Sequence, residues 1–193
     1  MSIPATCAEL FELIARETAR MSYPGSMSRG KKPVVAKGTK AELESYFARE
    51  FPLQNVWSSA PALASAYENW HEDRTNEIAI AIQDHVSSPN RVGVAAKFLD
   101  TFMHQLMKYE PCRPLLPALH LPLDARVFSV LSRLRSPALN TVRTHFLSSP
   151  YSLPYSEHQV IQKALFAFMD ELNLRPEAEF TVMFRIELNW LWI

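Results

Sequence analysis

Apolar residues in this chain recur almost everywhere with the period of a helix, and almost nowhere with the period of a strand. Leu10, Phe11 and Ile14 mark one face of a first helix running to about Arg20. Leu43, Tyr46 and Phe47 mark a second, which Thr39-Lys-Ala-Glu42 would open as a capping box. Pro61 suits the first turn of a third stretch reaching about Val86, with a break expected near Trp70. Ser87–Asn90 reads as a loop, and the following helix carries Ala95, Leu99, Phe102, Met103 and Leu106 on one stripe. Period-two alternation is confined to Pro33–Ala36 and Phe180–Phe184, both too short for a sheet.

Prolines 111, 114, 117 and 122 interrupt the helical pattern between Glu110 and Asp124, because each removes a backbone donor and restricts the residue before it. Beyond them, helices are expected over Ala125–Arg135, Pro137–Ser148, Ser156–Asn173 and from Pro176 to the end. Ser156-Glu-His-Gln159 reads as another capping box. The pattern predicts a single all-α domain of about eight helices over residues 1–193, with a basic, glycine-containing loop at about 20–40. A length of 193 residues and an apolar fraction of 48% are sufficient for a substantial core.

Charge and cysteine content narrow the function classes. Lysines and arginines balance aspartates and glutamates at 20 each, so no global field draws the chain to nucleic acid or an anionic membrane. The basic charge is nevertheless local. Arg20, Arg29, Lys31, Lys32, Lys37 and Lys40 fall in one acid-free segment that also holds Gly25, Gly30 and Gly38. Such a loop can follow a phosphate backbone, or it can be an ordinary solvated surface. The N-terminus lacks the basic and apolar regions of a signal peptide, and no apolar run is long enough for a bilayer. Cys7 and Cys112 form no disulfide framework and no CxxC knuckle; both are expected as small buried hydrophobes in a reducing, cytoplasmic setting.

Lys97 and Asp124 are the candidates for chemistry. Lys97 shares a helical stripe with Asp100, Thr101, His104 and Lys108, which is either a solvent face or the wall of a cleft. Asp124 precedes Ala-Arg-Val-Phe and is a natural N-cap, where free amides and the helix dipole keep a carboxylate ionised. The six histidines show neither HxxxH nor HExxH spacing, so no metal site is assigned; one assembled only by tertiary contact is left open but unsupported by the sequence. Trp70-His71-Glu-Asp73 reads as a helix-surface patch. No glycine-rich phosphate loop or nucleophile elbow is present, and no cofactor is expected. Trp190 and Trp192 suit a core helix better than a base-stacking platform.

The run Gly93-Val-Ala-Ala-Lys97-Phe, followed by Leu121-Pro-Leu-Asp124-Ala-Arg126-Val, resembles the helix-hairpin-helix DNA glycosylase superfamily, most closely the archaeal 8-oxoguanine DNA glycosylase/lyase branch. The last residues, Leu188-Asn-Trp190-Leu-Trp192-Ile, are loosely similar to the terminal helix of those proteins. The good match covers about a fifth of the chain. No Leu-Pro-Gly-x-Gly hairpin precedes the aspartate, so any hairpin is degenerate.

The resemblance implies a base-excision glycosylase with lyase activity on double-stranded DNA carrying a damaged purine such as 8-oxoguanine. Lys97 would be the nucleophile and Asp124 its electrostatic partner. An everted nucleotide would present its anomeric carbon to the amine, and the resulting imine would permit β-elimination. Residues such as Phe98 and Phe102 would desolvate the amine, while the carboxylate would oppose loss of its proton. Arg29, Lys31, Lys32 and Lys37 are the candidate phosphate contacts. The alternative is a non-catalytic helical domain that holds nucleic acid or protein, for which neutral charge and the missing hairpin speak.

Overall fold

The computed structural model describes residues 6–23 and 34–174, together with Met183, Arg185 and Leu188. The architecture is all-α. In order come α1 (Cys7–Ser22), α2 (Thr39–Arg49), α3 (Leu53–Ser65), α4 (Tyr67–Ala81), α5 (Arg91–Leu106), α6 (Ala125–Leu131), α7 (Pro137–Asn140) and α8 (Tyr155–Asn173). Short 3-10 segments fill the gaps, notably Glu110–Ala118, Arg143–Leu147 and Pro150–Ser152. The expected C-terminal helix, the second short alternating stretch and the two C-terminal tryptophans lie outside the described residues, apart from Met183, Arg185 and Leu188.

Helix α5 is the axis of the fold. From Gly93 to Asp100 every residue is buried, the polar ones included. Such all-round burial requires neighbours on each side, and α1, α4, α8 and the Pro150–Ser152 segment provide them. Beneath it the rings of Phe47 and Phe102 stack at 3.9 Å, with Phe51 and Phe98 packed around them. Gly93 permits the closest approach: a Cβ there would stand 2.3 Å from the Tyr151 carbonyl oxygen.

The buried apolar residues form two clusters. One unites α1 to α5 with the Glu110–Ala118 segment. The other unites α6 to α8 with Leu121, Leu123 and Leu153. Past the Glu110–Ala118 segment, residues 119–124 cross from the first to the second as extended chain, which leaves amides and carbonyls without helical partners. Side chains satisfy them instead. Gln162 on α8 accepts from the Leu121 amide (2.9 Å) and donates to its carbonyl (2.7 Å), while Arg185 donates to the carbonyls of Ala118 and Leu119.

Several local expectations need correction. Thr39 does not cap α2: Gly38 occupies the N-cap with φ of 105°, and the Thr39 hydroxyl donates back to Ala36. The only side-chain capping box recorded among the described helices is at α1, between Thr6 and Glu9. Its buried face is Ala15, Thr18, Ala19 and Ser22, whereas Leu10 is 44% exposed. Ser156 does not open α8; Pro154 is the N-cap, its extended backbone leading directly into buried Tyr155. The break after α3 falls at Ala66, not Trp70, and a kink at Ser59 precedes Pro61. Helix α6 ends at Leu131, short of the expected Arg135, and the Arg143 guanidinium binds the carbonyls of Ser132 and Leu134 just beyond it. Val35 pairs with Val86 as a lone bridge. Cys112 is buried as expected, but Cys7 is exposed.

Candidate functional site

Lys97 and Asp124 meet. The Lys97 ammonium donates to Asp124 Oδ2 at 2.9 Å, while Asp124 Oδ1 accepts from the Val127 amide at 2.9 Å. Local structure explains the placement. Asp124 ends the extended stretch and N-caps α6 in a β backbone conformation, and that role fixes its carboxylate. Lys97 lies one turn past Gly93, so the Pro150–Ser152 segment that closes on Gly93 brings the Tyr151 ring to 5.6 Å from the amine. The lysine side chain is 6% exposed and the aspartate 32%. Burial works to raise the Asp124 pKa, but the Lys97 charge and the Val127 and Arg126 amides outweigh it and hold the carboxyl below its ordinary range. The result is an ionised carboxylate, held by the α6 N-terminus against a primary amine that is almost wholly buried.

The other candidates distribute differently. Arg29, Lys31 and Lys32 lie outside the described residues. Lys37 is exposed in the turn before α2, and no hydrogen bond or ion pair among the described residues joins it to Lys97 or Asp124. Two other charges of that segment have partners: Arg20 pairs with Glu17 and Lys40 with Glu44. Of the polar stripe on α5, Lys97 and Asp100 are buried, Thr101 and His104 half-buried, and Lys108 exposed. The stripe is therefore not a solvent face at its N-terminal half.

A second polar constellation sits where the two apolar clusters meet. His71 of α4, Asp100 of α5, His120 of the extended stretch and His158 of α8 are all buried, and their nearest side-chain nitrogen and oxygen atoms lie within 4.8 Å of one another. His71 Nε2 is 2.8 Å from Asp100 Oδ1, and His158 Nε2 is 3.3 Å from His120 Nδ1. The outward nitrogens are held too: His71 Nδ1 by the Tyr155 hydroxyl at 2.7 Å, and His120 Nε2 by the Glu68 carboxylate at 3.1 Å. Burial lowers the pKa of His71 to about 3 and of His158 to about 4; with the neighbouring imidazoles it drives that of His120 well below the ordinary value. All three rings are thus neutral at pH 7. Burial raises Asp100 to about 7, against the pull of His158 and Arg185.

The sequence reading of His71 as part of a helix-surface patch is corrected by this burial; the histidines show no metal-ligand spacing along the chain, and their convergence is purely tertiary. The signal was present but diffuse. His71 continues the stripe Tyr67, Thr75, Ile78 that α4 buries, and His158 continues the stripe Ile161, Leu165, Phe168 of α8. A histidine in the phase of a buried stripe calls for a partner, but only the fold says which one. No helix among the described residues is long and apolar enough to cross a membrane. No family model, curated protein or solved structure matches the chain.

Proposed function

We propose that this chain is a DNA N-glycosylase with AP-lyase activity, acting on a damaged purine such as 8-oxoguanine in double-stranded DNA through a Schiff base on Lys97. The observation that carries the reading is the 2.9 Å contact between the Lys97 amine and the Asp124 carboxylate, two groups separated by 27 positions in the sequence. In this reading the helical scaffold is of the helix-hairpin-helix type, with the Glu110–Asp124 stretch in place of a regular hairpin.

The chemistry follows from the two groups. Lys97 passes a proton to water, Asp124 staying ionised beside it, and the amine lone pair attacks the anomeric carbon of an everted nucleotide. The glycosidic bond breaks and its electron pair leaves with the base, which takes up a proton. Before the amine arrives, the fixed carboxylate stabilises positive charge developing on the sugar. Ring opening gives the protonated imine, whose acidified C2′ proton is lost as the 3′ phosphate departs.

Borohydride trapping tests this reading. Wild-type protein incubated with a duplex containing 8-oxoguanine or an abasic site forms a reducible covalent adduct, and Lys97→Gln forms none while keeping its helical circular dichroism. Absence of an adduct with either substrate would sink the reading. A second reading, a helical binding domain without chemistry, rests on a specific observation: both charges already have partners, Lys97 in Asp124 and the Tyr151 ring, Asp124 in Lys97 and the Val127 amide. It predicts salt-dependent DNA binding or protein binding without trapping.

A further inference from the structure

The geometry points to a buried, four-coordinate site for a divalent transition metal, zinc foremost, formed by His71 Nε2, Asp100, His120 Nδ1 and His158 Nε2. The site is independent of Lys97 chemistry. Three imidazoles and a carboxylate are the set that zinc, cobalt(II) and nickel(II) accept, while calcium and magnesium prefer oxygen ligands.

The spacing fits as well. Four ligands about 2.0–2.1 Å from a central ion stand roughly 3.4 Å apart in a tetrahedron. Here His158 Nε2 is 3.3 Å from His120 Nδ1 and 3.7 Å from Asp100 Oδ2, and His120 Nδ1 is 3.8 Å from Asp100 Oδ1. His71 Nε2 stands 2.8 Å from Asp100 Oδ1, and all four donor atoms lie within 4.8 Å of one another, so the set closes on an ion with shifts of about 1 Å or less.

Outer contacts distinguish this cluster from a casual group of histidines. A metal-bound imidazole characteristically gives its other nitrogen to a carboxylate or similar acceptor, which fixes ring and tautomer. His120 turns Nε2 to the Glu68 carboxylate, and His71 turns Nδ1 to the Tyr155 hydroxyl. Within the four-residue set a metal-free hydrogen-bond network leaves one oxygen unserved, as it does the neighbouring Tyr67 hydroxyl. Asp100 Oδ2 is fully buried with no hydrogen-bond donor among the described residues, an expensive state for a carboxylate oxygen. A cation at the centre of the four atoms removes that cost. Because the ligands come from α4, α5, α8 and the extended stretch, the ion would join the two apolar clusters. A closed, dry set of four protein ligands is of the structural kind, without an open position for substrate.

The test uses the full chain, unfolded in urea with chelator and refolded with or without zinc sulfate. After desalting, elemental analysis should find one zinc per chain, and the zinc-refolded protein should melt at a higher temperature than the chelated one. Cobalt(II) substituted for zinc should give the visible absorption of a four-coordinate ion. Paired substitution of Asp100→Asn with His120→Ala should abolish retention. Should that variant fail to fold, nitrogen-15 spectra of wild-type histidines carry the test: cadmium should shift His71 Nε2, His120 Nδ1 and His158 Nε2 and leave His85, His104 and His145 unmoved. The proposal is overturned if wild-type protein retains no zinc, cobalt or nickel and its melting temperature is indifferent to them. It is equally overturned if a folded double variant retains metal as the wild type does, or if cadmium shifts other histidines instead.

Discussion

Replacing Gly93 with alanine should destabilise this protein, although the same change in an ordinary helix stabilises it. At an unconstrained interior helical site, alanine gains roughly 0.5–1 kcal/mol over glycine. In α5 the new methyl would stand 2.3 Å from the Tyr151 carbonyl oxygen, 2.6 Å from its carbon and 2.7 Å from the Pro150 carbonyl oxygen. These are backbone atoms, so no rotamer change relieves the clash. The Pro150–Ser152 segment has to retreat by about 1 Å for ordinary van der Waals contact, against an overpacking cost of about 1–3 kcal/mol. Because the clash is with backbone, the cost falls in the upper part of that range, about 2–3 kcal/mol, and the net loss is about 1–2.5 kcal/mol, or roughly 2–10 °C in melting temperature for a chain of this size. Urea denaturation with matched m-values measures it. The displacement also draws the Tyr151 ring from Lys97, so adduct formation should fall more than stability alone accounts for. A Gly93→Ala protein as stable as wild type, or more so, would refute the close approach and with it the described setting of Lys97.

Gln162→Leu keeps the volume but strips the Leu121 amide and carbonyl of their partners, and leaving both buried groups unpaired should cost about 2–5 kcal/mol by urea denaturation. Thr6→Ala removes the cap of α1 and should cost about 1 kcal/mol, seen as earlier loss of helical signal on heating. Acid titration should expose the Lys97–Asp124 pair. The Asp124 pKa is depressed in the folded state, so its contribution is present above the ordinary carboxylate range and is lost as pH falls through the lowered folded value. Wild-type stability should therefore drop more steeply in acid than that of Lys97→Gln, as measured by urea midpoints between pH 2 and about 6.

The helical class and the cores of α2 and α5 were legible because long apolar stripes admit few other interpretations. Asp124 as an N-cap was legible for a similar reason, since its role depends on the three residues that follow it. Helix starts were less so. Thr39 and Ser156 carry the capping-box pattern, yet Gly38 and Pro154 dictate the backbone at those points. The histidine constellation could not be read in advance. His71, Asp100, His120 and His158 are far apart along the chain, and their shared burial depends on how α4, α5 and α8 close around the extended stretch. The resemblance at Lys97 and Asp124 brought attention to α5 but gave no hint that Asp100, one turn on, has its own partners.

Under the proposed chemistry the Lys97 amine forms the covalent bond with DNA, and mass spectrometry of the borohydride-reduced adduct after proteolysis locates that bond. The sugar remnant is expected on Lys97, in the peptide that also contains Gly93 and Asp100. A remnant on any other amine, or an unmodified Lys97 peptide from protein that has processed the lesion, would contradict it.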